Sequence, residues 1–173
     1  MDVLRVGREP HADILALARR YTLVLRHLDA GQPLPGSYWG ESEAGLRGAE
    51  LFTRPDTPLH SLLHELSHFV CMTPDRRQGL DRDAGGDDEE ECAVCYLQIL
   101  LAEELGSLGR DRMLADMDAW GYSFRLGSAR AWFERDASEA GAWLRAHGLI
   151  DDAGRPTFTL RSPEAKNSAH PHV

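Results

Sequence analysis

Residues 57–73 read TPLHSLLHELSHFVCMT. Thr57 is a plausible helix N-cap, and Pro58 suits a first helical position, where its missing N–H costs nothing. Leu59, Leu62, Leu63, Leu66 and Phe69 recur at helical spacing, and Pro74 stops the run. Within it, His64-Glu65-Leu66-Ser67-His68 is an HExxH pattern. Residues four apart lie one turn up on the same helical face, so His64 and His68 can reach one metal ion with Glu65 beside them. HExxH alone is a short pattern, and its bland alternative is a core helix with two satisfied histidines. The capped apolar helix and the carboxylate-rich helix start that follows favour a metal site. His60, one turn earlier, is expected to be a supporting or surface residue rather than a ligand.

Outward from this helix, residues 11–30 are expected to form a first helix, closed by Gly31 as its C-cap. GQPLPGSYWGESEAG is turn-rich, with Tyr38 and Trp39 expected to tuck onto the core. Residues 47–54, RGAELFTR, alternate like a strand and run into the HExxH helix. Residues 74–88 are expected to be a polar loop. The acidic run 87–91 then opens a second helix to about residue 105, ended by Gly106, with its acids placed to meet the helix dipole. Segments at 110–120, 128–135 (capped by Ser128) and 136–147 (opening as a capping box at Asp136 and Glu139) are expected helices. Trp120, Trp132, Phe133 and Trp143 are expected core anchors, Asp151 to Arg155 a small hairpin turn, and 162–173 a disordered tail. His170 and His172 in that tail are given no functional weight.

At 173 residues, 42% of them hydrophobic and 27% charged, the chain is long enough for one domain with a real core. One domain is expected over residues 1–161. The net charge of −9 argues against a direct nucleic-acid binder, which needs a basic face. No apolar run approaches bilayer length, and the N-terminus lacks a signal-peptide apolar region, so a cytoplasmic protein with no membrane partner is expected. Three cysteines fit reduced thiols rather than a disulfide framework. Cys92 and Cys95 form one CxxC without the second pair that a zinc ribbon needs, so both are expected to be buried thiols in an apolar helix.

Two histidines leave a metal under-coordinated. Two His and one carboxylate suit zinc with an open position, and equally suit iron(II). The second helix must supply the carboxylate. Glu90 shares a helical face with Ala93, Val94, Leu97, Leu100 and Leu101, a small apolar face suited to packing on the HExxH helix. Glu91 shares its face with Val94, Cys95 and Gln98, which is more polar. Glu90 is the expected ligand and Glu91 the alternative. The run from Glu90 through Ala93, Tyr96 and Leu97 to Leu101 also resembles the glutamate helix of several zincin families. The expected fold is therefore α+β: a mostly helical zincin-like domain with a small sheet beside the HExxH helix. In a hydrolase of this type the metal activates water and Glu65 takes its proton. An oxyanion stabiliser would also be needed, with Tyr96, Tyr122, Arg76 or a further His as candidates.

HELSHFVCMTPDRRQGLD resembles the signature of the elongation factor P hydroxylase family in His64-Glu65-x-Ser67-His68, Phe69, the pair Arg76-Arg77, and Asp81 four residues later. The close resemblance covers about 20 residues. It implies a zincin-like fold and one divalent metal, iron(II) or zinc, on His64, His68 and Glu90. It also implies oxygen-dependent hydroxylation of a modified lysine on a protein partner such as elongation factor P. On the same resemblance Arg76, Arg77, Asp81 and Glu91 would support the site or shape the substrate groove, and the acidic run would suit a basic side chain. Where that family continues with an aromatic-rich stretch, this chain has Asp81-Arg82-Asp83-Ala84-Gly85-Gly86, which marks a divergent member. The alternatives are a zinc-dependent peptidase or amidase with Glu65 as general base, and a non-catalytic metal-stabilised module that binds a basic partner.

Overall fold

The computed structural model describes residues 2–8, 10–37 and 42–163. Tyr38, Trp39 and the tail from Glu164 lie outside the described residues. The fold is α+β, with seven α-helices and one three-stranded mixed sheet among the described residues.

The central helix is α2 (Leu59–Cys71). Its apolar residues form more than a stripe: Leu59, Leu62, Leu63, Leu66 and Val70 are wholly buried. A helix enclosed this way is held by tertiary packing more than by propensity. Its cap differs by one residue from expectation. Pro58 is the N-cap residue, and Thr57 caps nothing. The Thr57 hydroxyl instead accepts from Arg54 N at 2.9 Å and donates to Glu43 O at 3.2 Å, tying the entry loop together.

The sheet precedes α2. The expected long first helix is corrected: α1 (His11–Arg20) stops early, Thr22 takes φ +60°, and β1 (Val24–His27) follows. β1 pairs in parallel with β3 (Glu50–Thr53), Val24 opposite Glu50. The apolar stripe continues past Arg20, but parallel pairing of Val24–His27 with β3 overrides it. The single expected strand over 47–54 is two, β2 (Gly45–Arg47) and β3, antiparallel about a turn in which Gly48 has φ +55°. That positive φ is why glycine sits there. Sheet order is β1-β3-β2, with β2 and β3 both against α2.

Beyond α2, the expected loop begins as a short helix, α3 (Pro74–Gly79), with Pro74 in the first turn. The second long helix, α4 (Asp88–Leu101), is capped by Asp87, whose carboxylate accepts from Glu90 N at 2.9 Å. A short 3-10 turn extends it to Glu104. α4 lies along α2 on one side and α7 (Ser138–Ala146) on the other. α5 (Gly109–Trp120) ends on Gly121 in the left-handed conformation, and α6 (Ala129–Arg135) is capped by the Ser128 hydroxyl as expected. α7 starts without a side-chain cap, because Asp136 turns to Arg125 instead. Ile150 and Pro156 form one antiparallel bridge around the expected turn. Trp132 is buried in the core, whereas Trp120 is 46% exposed and is no core anchor. Cys95 is buried and Cys92 exposed, which corrects the expectation that both are buried.

Candidate metal centre

The site lies where α2 faces α4. His64 and His68, one turn apart, bring their Nε2 atoms to 3.1 Å of each other. From α4, Glu91 sets Oε1 3.3 Å from His64 Nε2 and Oε2 3.4 Å from His68 Nε2. One donor atom from each of the three lies within 4.8 Å of the others. Two imidazole nitrogens and a carboxylate converging at that scale fit a small divalent cation.

The expectation that Glu90 is the carboxylate beside the histidines is corrected: the one that faces them is Glu91. Glu90 is 4% exposed and turned away, paired with Arg76 at 2.8 Å and Arg161 at 3.1 Å. Consecutive helical residues point about 100° apart, so only one of the pair can face α2. The apolar face of α4 carries Glu90 and suits helix packing, which is why the sequence favours that residue. In the structure the polar face of Glu91 and Gln98 meets the histidines. Gln98, fully buried two turns after Glu91, was the signal: a lone amide in an apolar helix needs partners.

Gln98 Oε1 accepts from His64 Nδ1 at 2.7 Å, so in the neutral ring the lone pair is on Nε2, the nitrogen that faces Glu91. His60 is buried, so the surface alternative for it falls. Its ring packs 4.9 Å from that of Trp120, and its Nδ1 lies 3.3 Å from the Tyr122 hydroxyl. Burial, with smaller effects from His64 and Arg5, pushes His60 down to about 3. Burial, reinforced by Glu43 and Glu91, pushes Glu65 up to about 8. Burial, with His64 and Arg76 adding to it, also lowers His68.

Two polar clefts flank the cluster. One of about 380 Å³ is lined by Glu65, His68, Glu91 and the 82–86 loop. The other, about 310 Å³, is lined by Glu43, His60, His64, Glu65, Trp120 and Tyr122 among others. Glu65 and Arg82 line both, so they sit where the two meet.

The expected supporting residues have other work. Arg76 holds Glu90 and the Ala84 carbonyl. Arg77 donates to the Phe69, Met72 and Arg161 carbonyls. It thereby satisfies α2 carbonyls that the helix end leaves without partners. Asp81 is exposed and lines neither cleft; the neighbouring Arg82, which sequence reasoning passed over, lines both. Among the oxyanion candidates, Tyr96 stacks on Phe133 away from the clefts and Arg76 is committed to Glu90. The chain matches no protein-family model, no curated protein and no solved structure.

Proposed function

We propose that the chain is a metal-dependent hydrolase of an amide or peptide bond, with one divalent ion on His64, His68 and Glu91 and with Glu65 as general base. One observation carries this reading: three donor atoms from α2 and α4 converge within 4.8 Å, beside Glu65, whose carboxylate is the one among the described residues that lines the clefts on both sides of them. A divalent ion held there would acidify a bound water and polarise a substrate carbonyl. Glu65 would take the water proton and return it to the leaving nitrogen; burial pushes its carboxyl up to about 8, and a dication beside it would favour the ionised form that a base needs. Arg82, which lines both clefts, would supply a cation to a developing oxyanion. The three free thiols support a cytoplasmic location.

The test is untagged protein reconstituted with zinc and assayed on a mixed peptide library by mass spectrometry. Zinc-dependent cleavage is expected. Glu65→Gln should abolish it while metal content stays stoichiometric; cleavage at the wild-type rate in that variant would remove the mechanism.

A second reading is the oxygen-dependent hydroxylation of a basic side chain on a protein, as in the elongation factor P hydroxylases. It is favoured by Phe69, Arg76 and Arg77, shared with that signature, which here brace the end of α2 and the start of α4. The acidic walls of Glu43, Glu65, Asp83 and Glu91 suit a cationic side chain. This reading expects iron(II) in protein purified without oxygen, and substrate-dependent oxygen uptake. Zinc occupancy with no oxygen consumption would discard it.

A further inference from the structure

We infer that Gln98 is a positioning residue: it holds His64 in the tautomer that offers Nε2 to a metal, while His68 has no such clamp, so the two histidines are not equivalent. The inference deepens the metal reading and rests on it only for its consequence in affinity.

The amide orientation of Gln98 follows from its surroundings. Its Nε2 faces the His60 carbonyl oxygen at 3.4 Å and Met113 Sδ at 3.7 Å, both acceptors. A flipped amide would set oxygen against oxygen in a site from which water is excluded, an expensive arrangement. Oε1 therefore turns to His64 Nδ1 at 2.7 Å. A carbonyl oxygen only accepts, so His64 carries a proton on Nδ1, and in the neutral ring the lone pair is on Nε2.

His68 takes the opposite state in the metal-free protein. Its Nε2 lies 3.1 Å from His64 Nε2 and 3.4 Å from Glu91 Oε2, both acceptors beside a neutral His64, so His68 Nε2 carries the proton and donates it. Its Nδ1 agrees: buried and without a hydrogen-bond partner, it is far cheaper as a bare lone pair than as an orphaned N–H. Ligation by His68 then requires its proton to leave Nε2 for a position with no acceptor. His64 is set in advance by α4, and His68 must switch.

The experiment is long-range proton–nitrogen NMR of 15N-labelled, metal-free protein at about pH 8.5, where histidines are neutral. His64 should show a protonated Nδ1 and His68 a protonated Nε2. Gln98→Met should remove the His64 preference, and Gln98→Glu, which still accepts from Nδ1, should keep it. In zinc titrations against a competing chelator, Gln98→Met should bind about 10–100-fold more weakly than wild type. Gln98→Glu should restore most of that loss. A wild-type His64 protonated on Nε2 overturns the inference and needs no variant to be seen. Wild-type zinc affinity in a folded Gln98→Met protein also overturns it. If wild type takes up no zinc yet shows these tautomers, the proposed function fails and the positioning role stands.

Discussion

At the residue scale, the decisive pair is Glu90 and Glu91, adjacent in sequence and opposite in use. Glu91 is half-exposed and faces two imidazoles; Glu90 is enclosed between two guanidinium groups. Removing one member of a buried charge pair leaves the other charge uncompensated, at about 3–5 kcal/mol. Urea unfolding of Glu90→Ala should register a loss of that order. Glu91→Ala should unfold near the wild-type midpoint yet fail to retain stoichiometric metal by elemental analysis. His60 supplies a pH prediction. Buried among Trp120 and Tyr122, it takes a proton in the folded state only near about 3, whereas an unfolded histidine does so near about 6.5. The unfolded state thus binds more protons between those values. The His60 contribution is complete above about pH 6.5 and is lost as pH falls toward 3, with a slope of at most about 1.4 kcal/mol per pH unit. A shallower acid slope for His60→Gln than for wild type in pH-dependent denaturation checks it.

At the element scale, the start of α4 does two jobs in one turn: its cap and its acids order the helix, and its fourth residue reaches the histidines. Asp87→Ala should cost about 1 kcal/mol by removing the bond to Glu90 N. Fraying there should also weaken metal binding, measurable in the same chelator competition. The loop before it is equally constrained. Gly86 has φ +113°, and a Cβ there would lie 2.9 Å from Glu90 Oε1. Gly86→Ala combines a strained backbone, about 1–3 kcal/mol, with a clash against a carboxylate fixed by two arginines. Its melting temperature should fall further than that of Gly85→Ala, where the added Cβ meets only the end of the Arg76 side chain at 3.8 Å.

At the scale of the whole molecule, the end of the described chain closes on the site. Arg161 N donates to the Val70 carbonyl at 3.0 Å, and its guanidinium reaches the Cys71 carbonyl and Glu90. This segment clamps the C-terminal end of α2 to the first turn of α4, the two elements that carry the donor atoms. A chain truncated after Pro156 should lose stability and metal affinity together, in thermal unfolding and zinc titration of the same preparation. Metal addition should act in the other direction. An ion that binds only the folded state stabilises it by about 2.7 kcal/mol at a hundred times its dissociation constant, so the full chain should melt higher with zinc than with chelator.

How much of this was legible varies with the range of the interaction. The sequence by itself determined α2, its histidines one turn apart with Glu65 between them, the cap at Ser128, and an acidic start to α4, because helical periodicity and capping act within a few residues. It also narrowed the carboxylate that faces the histidines to two adjacent acids. The three-dimensional packing alone turned Glu91 toward them. The rotation of α4 depends on what Arg76 and Arg161 hold, and Arg161 lies 71 residues from its partner Glu90. The end of α1 at Arg20 and the strand after it were decided the same way, by β1 pairing in parallel with β3. Such pairings join distant parts of the chain, and no local pattern of apolar residues records which distant carboxylate, arginine or strand edge will be waiting.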